Sequence, residues 1–138
     1  MGKQSIKPMI SFSGRKKRMY ISRDVLRILE YPSHVCIYMS KDYDSLAIGP
    51  CKSENVMSFK VPEKIYEGKK ADFTINSQQF VFDVMHINQM DMENTYRIYG
   101  QYLEEDHAVT FHLGDATLVS TAIKSNDIPV GEQLPDEA

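Results

Sequence analysis

Apolar and polar residues along the chain repeat at two periods, and the switches between them lay out the elements. Met9–Phe12 reads as a short strand that stops at Gly14, and Met19-Tyr20-Ile21 as another; between them Arg15-Lys16-Lys17-Arg18 follows a Ser-Gly pair and belongs on a turn. Ser22 is a good N-cap for a helix over Arg23–Tyr31. There Val25, Ile28, Leu29 and Tyr31 share one helical stripe, and Arg23, Asp24, Arg27 and Glu30 are left for solvent. Pro32 stops that helix. Val35–Met39 and Leu46–Ile48 flank the turn residues Asp42-Tyr43-Asp44-Ser45, which predicts a hairpin whose second strand ends at Pro50.

The order then recurs. After a connector over residues 53–70 with one β-like piece at Val56–Val61, Asp72–Ile75 reads as a strand and Asn76 or Ser77 as a cap. Gln78–His86 reads as a helix with Phe80, Val81 and Val84 inward. Tyr96–Leu103 and Ala108–Leu113 are strands around Glu104-Glu105-Asp106-His107. Both faces of Tyr96–Leu103 carry aromatics, which points to burial on both, by a barrel or by a partner. Strand, Ser/Asn cap, helix, hairpin thus occurs twice at an offset near 55, as an internal duplication or as chance recurrence of a common order. Leu118–Ile123 adds a last strand, and residues 124–138 are polar, acidic and Pro/Gly-containing, a composition expected to be disordered.

The resulting expectation is an α+β, mostly β protein with one globular domain over residues 1–123. Unit one covers about 9–52, the connector 53–70 and unit two about 71–123, with an acidic tail at 124–138. At 138 residues, 42% hydrophobic, the chain is long enough for a real core. No apolar run approaches a membrane span and residues 1–10 lack a signal-peptide core, so the expected location is cytoplasmic, with no membrane partner.

Charge changes the picture more than composition does. Residues 1–27 hold eight Lys or Arg against Asp24 alone, a surplus of +7, so a net charge of −3 leaves −10 on the other 111 residues. Such a split prepares one face for a polyanion, or simply gives a solvated basic turn and an acidic tail. Arg15, Lys16, Lys17 and Arg18, with Arg23 and Arg27, are the candidate nucleic-acid-binding residues, because adjacent cations can contact several phosphates and arginine can read guanine edges.

Other chemistry is thin. Cys36 and Cys51 are too few for a disulfide framework; across the hairpin they could face each other, although two reduced thiols fit a cytosolic core better. His34, His86, His107 and His112 lack metal-ligand spacing, and no phosphate loop, nucleophile elbow or triad order is present, so neither metal, cofactor nor enzyme activity is expected. Eight Tyr and eight Met suit interaction surfaces.

Residues 18–29, RMYISRDVLRIL, followed by a hairpin, resemble the SpoVT/AbrB-type swapped-hairpin motif of transition-state regulators and MazE-like antitoxins. The resemblance covers about 40 residues, or about 85 with the second copy. It implies a small intertwined barrel of two β-α-β-β units that meets DNA through loop and helix arginines. The loop arginine falls on Arg18 and the second helix arginine on Arg27; Leu26 stands where the first would be, and Ser22 where the family has proline. The second copy offers Phe73, Val81 and Phe82 at the matching places. The implied function is a DNA-binding transcriptional regulator or antitoxin-type protein on double-stranded DNA, with a homodimer needed for a symmetric site. The alternative is an interaction protein, of phage or mobile-element type, that binds and inhibits another protein.

Overall fold

In the computed structural model, which describes residues 7–52, 58–67 and 73–119, alternation decides which way each strand faces. Strands β1 (Met9–Ser13) and β2 (Arg18–Ile21) pair antiparallel with Ile10 opposite Ile21 and Phe12 opposite Met19, so all four side chains drop to one face and are buried. A six-residue helix, α1 (Arg23–Ile28), leads to the hairpin β3 (His34–Met39) and β4 (Ser45–Pro50). Then come β5 (Ser58–Lys60), the one-turn helix α2 (Glu63–Tyr66), β6 (Phe73–Ile75), the ten-residue helix α3 (Gln78–Ile87) and the hairpin β7 (Thr95–Leu103) and β8 (Ala108–His112). A 3-10 turn at Leu113–Asp115 and β9 (Thr117–Leu118) close the described chain.

The strands form one antiparallel sheet in the order β5-β3-β4-β8-β7-β1-β2-β6, with β9 beside β7. It curls into a nearly closed small barrel, and with 42% strand and 22% helix the described residues are mostly β, as expected. Ile10, Phe12, Ile48, Ile98, Val109 and Phe111 fill the interior, and Val25, Leu26, Val81, Val84 and Met85 from the helices join the same core. Strand β7 pairs with β1 along its first half and with β8 along its second, and Gly100 sits at the changeover. Its N–H donates to the Pro8 carbonyl at 2.9 Å, and a Cβ there would meet the Phe111 ring at 2.5 Å, so the crossing needs glycine.

Several expectations need correction. Helix α1 ends at Ile28, short of Tyr31 and Pro32: Glu30 and Tyr31 take left-handed φ of 65° and 58°, and the Tyr31 and Glu30 N–H groups donate to the Leu26 and Arg27 carbonyls. Ser22 holds the N-cap position, but its hydroxyl accepts from the Met9 N–H at 3.1 Å instead of capping the helix. The connector contains α2, whose single turn leaves no periodicity to read; Ile65 is buried and the Tyr66 hydroxyl donates to the Pro32 carbonyl at 2.7 Å. Cys36 lies opposite Gly49, not Cys51, which sits one residue past β4 with its N–H on the His34 carbonyl; the two form no disulfide. Strand β7 is not buried on both faces: Ile98 points into the barrel, while Tyr99, Gln101 and Leu103 are exposed. Strand β8 stops at His112 because Leu113 turns into the 3-10 helix. Strand β9 is only Thr117–Leu118; residues 120–123 and the tail at 124–138 lie outside the described residues, as does Asp72.

Candidate nucleic-acid interface

The β1–β2 turn is built to hold its cations outward. Buried Ser13 accepts the Lys16 N–H on its hydroxyl at 3.3 Å, and Lys17 closes the turn with φ 52°, a left-handed conformation that costs a lysine about 1 kcal/mol. The Gly14 N–H donates to the Asn94 carbonyl at 3.0 Å, and a Cβ on Gly14 would overlap the Met92 backbone. The turn is thereby tied to the loop after α3, and the four cations Arg15, Lys16, Lys17 and Arg18 are all exposed. Arg15 Nε approaches Glu93 at 3.8 Å, but with the two side chains 75% and 78% exposed this pair adds little. A hollow of about 390 Å³ beside it is lined by Gly14, Arg15, Lys17, Phe82, Met92 and Glu93.

Arg23 and Arg27 form a second group. Spaced four residues apart on α1, they share its solvent face, and Arg27 Nη1 lies 3.4 Å from Asp24. The two arginines border two hollows. One, about 600 Å³, opens over Met9, Ser11, Tyr20 and Ser22; the other, about 190 Å³, is closed off by Leu26, Tyr31, Ile65 and Tyr66. Tyr31 and Tyr66 meet edge to face with centroids 5.4 Å apart, and burial, then the Tyr31 hydroxyl nearby, pushes the Tyr66 hydroxyl up to about 12. The six cations therefore do not converge. The turn and the helix stand at opposite ends of β2, a four-residue strand roughly 14 Å long.

What joins the two groups is the outer face of the sheet. Arg18 and Tyr20 project from β2 on the side away from Met19 and Ile21. Register carries the same face across to Ser11 on β1 and Arg97 on β7, and one step along to Met9 and Tyr99. Arg97 and Tyr99 were missed by sequence reasoning because they lie some 80 residues from the basic turn and arrive only through the β1·β7 pairing. The alternation of Tyr96–Leu103 does place both on one strand face, which was the usable signal.

No known family, curated protein or solved structure matches this chain. The remaining titratable groups are dispersed. His34 and His112 contact the hydroxyls of Ser33 and Ser45, His107 contacts the Tyr102 hydroxyl at 2.7 Å, and His86 stacks on Phe82. Glu104, Glu105 and Asp106 are exposed on the β7–β8 turn. Among the described residues no three His, Cys, Asp or Glu are grouped to hold a metal, and no helix is long and apolar enough to cross a membrane.

Proposed function

We propose that this protein is a non-enzymatic DNA-binding regulator of the SpoVT/AbrB-like kind, contacting duplex phosphates through the β1–β2 turn and α1. The observation that carries the reading is the exposure of Arg15, Lys16, Lys17 and Arg18 on and beside a turn fixed by Ser13 and Gly14. Arg23 and Arg27 continue the same charge at the other end of β2, and Asp24 is the single acid among residues 7–29. Each phosphate neutralised would add about 0.9 to the slope of log affinity against log salt.

The same proposal includes two β-α-β-β units folded on each other about a pseudo-two-fold. Supporting it, β2 pairs antiparallel with β6 and β4 with β8, so that corresponding strands meet. The hairpin pairs Ile37–Ile48, Tyr38–Ala47 and Met39–Leu46 become Gly100–Phe111, Gln101–Thr110 and Tyr102–Val109 when 63 is added to each number. The closing bonds of α1, Tyr31 to Leu26 and Glu30 to Arg27, become Met90 to Met85 and Gln89 to His86 when 59 is added. Strand β1 flanks β7 as β5 flanks β3. Ser22 differs from the family's proline for a local reason: its N–H donates to the Met9 carbonyl at 3.0 Å, a bond proline lacks. With the basic turn and the helix arginines on one half only, a symmetric operator would take two chains.

A second reading, binding of a protein partner, is favoured by the opposite side of the barrel. The row Tyr38–Ala47–Thr110–Gln101 is neutral, and Tyr38 is 52% exposed beside a shallow apolar hollow. Anisotropy of labelled duplex DNA over a salt series separates the two. Under the DNA reading binding weakens steeply with salt, and changing Arg15, Lys16, Lys17 and Arg18 to Ser flattens the slope by about 3.6. Absence of duplex binding at low salt by folded protein retires the DNA reading and leaves the neutral face to be tested by pull-down.

A further inference from the structure

Chain order hides a surface that the sheet assembles. Across the outside of the barrel one cross-strand row reads Thr74, Tyr20, Ser11, Arg97, Thr117, drawn from β6, β2, β1, β7 and β9. The neighbouring row adds Met9 and Tyr99. No Asp or Glu stands on this face of those strands; Ser11 and Met9 of β1 lie between the two aromatic rings, and Thr74 and Thr117 flank the row. Tyr99 is 54% exposed and lies two residues along and two strands across from Tyr20, roughly 12 Å away. Arg97 stands between them. Its Nε is buried with no hydrogen-bond partner among the described residues, an N–H donor that the fold leaves unsatisfied. Beside Tyr20 the 600 Å³ hollow rises to Arg23 and Arg27, with Asp24 as its one acid.

A sheet face without acidic side chains, carrying two separated aromatic rings with arginines around them, fits unpaired bases better than a duplex. In a duplex the base faces are stacked on one another and unavailable; in a single strand every base offers a π-face and its phosphate follows alongside. We propose that the outer face of β2, β1 and β7 binds single-stranded nucleic acid, with bases stacking on Tyr20 and Tyr99 and phosphates meeting Arg97, Arg23 and Arg27. This goes beyond the duplex reading; the two share the helix arginines, and Arg18 of the duplex site lies at the edge of the same face. Tyr20 and Ser11 set the floor, Tyr99 is the outer stacking position, and Arg97 supplies charge midway along the strand's path.

The chain contains no tryptophan, so Tyr99→Trp places a single indole at the outer stacking position. The probe is oligothymidylate of about 12 nucleotides, within the length that single-strand sites span, titrated into full-length protein at low salt. Stacking quenches the indole emission, and anisotropy of labelled oligothymidylate gives the affinity. Tyr99→Ala is expected to weaken binding about tenfold, Tyr99→Phe to leave it within twofold, and Arg97→Gln to lower the salt slope by about 0.7. Folding of each variant is checked by its thermal transition. Changing Arg15, Lys16 and Lys17 to Ser, with Arg18 left in place, separates this site from the duplex site: duplex affinity should fall while the Tyr99-dependent quench is kept. Unquenched emission, or Tyr99→Ala binding oligothymidylate like wild type, overturns the platform whatever the duplex result.

Discussion

The β2–α1 and β6–α3 regions are alike inside and unlike outside. Each is a short strand followed by a serine at the helix N-cap, and each helix sends a pair of residues into the shared core, Val25 and Leu26 in one, Val84 and Met85 in the other. Both helices end with the same two backbone bonds and a left-handed residue, Glu30 or Gln89. On the solvent side α1 shows Arg23 and Arg27, whereas α3, four residues longer, shows Gln78, Gln79, Phe82 and His86. A barrel wall tolerates few inward substitutions, because each buried atom touches several others, while the outward positions are free to diverge in charge. Inward pattern therefore reports the fold, and outward pattern reports where the molecule meets something.

The largest test of the likeness is in the core. Leu26→Ala and Met85→Ala remove side chains 1% and 0% exposed at corresponding places, and each should cost about 2–5 kcal/mol in urea-unfolding free energy. Equal losses mean that the helices are matched supports of one core. A loss below about 0.5 kcal/mol at one of them breaks the correspondence between the two regions.

The difference outside can be sharpened by transplanting charge. Phe82 is 40% exposed and lines the hollow beside Arg15 and Lys17, at the place matching Arg23 when 59 is added. Under the duplex reading Phe82→Arg should steepen the salt slope of duplex binding by about 0.9, a few-fold gain in affinity at low salt. An unchanged slope would mean that DNA does not reach α3, confining the contact to the turn and α1.

How far the sequence carried follows the same inside–outside division. Strands β1 and β2, the β3–β4 hairpin and the body of both helices were readable because inward residues repeat at period 2 or 3.6. The β4·β8 and β1·β7 pairings join segments 60 to 90 residues apart, and no local pattern encodes which strands meet. That is also why the basic turn and α1 were named together although β2 separates them, and why Arg97 was overlooked. The end of α1 escaped because left-handed Glu30 and Tyr31 carry no glycine signal.

Tyr66 ties α2 to the turn that follows α1, through its edge-to-face contact with Tyr31 and its hydroxyl bond to the Pro32 carbonyl. Burial, and then the neighbouring Tyr31, pushes the Tyr66 hydroxyl from 10.0 up to about 12, so the folded state holds this proton more tightly. The stability this contributes is whole below pH 10 and is lost as pH rises towards 12. Tyr66→Phe should cost about 0.5–1.5 kcal/mol at neutral pH through the missing hydrogen bond. It should also flatten the decline in stability between pH 10 and 12, measured by urea midpoints; a variant declining in parallel with wild type would remove Tyr66 as the titrating group.

The smallest effect tests whether the basic turn is kept for charge and not for fold. Lys17 sits at φ 52°, where glycine has no Cβ penalty, so Lys17→Gly should raise unfolding free energy by up to about 1 kcal/mol. The same change removes one exposed cation and should lower the duplex salt slope by about 0.9. Opposite signs in the two measurements mean that a strained lysine is retained for what it contacts. If Lys17→Gly gains stability and binds DNA with an unaltered slope, the lysine does not touch phosphate, and the contact narrows to Arg15, Lys16 and Arg18.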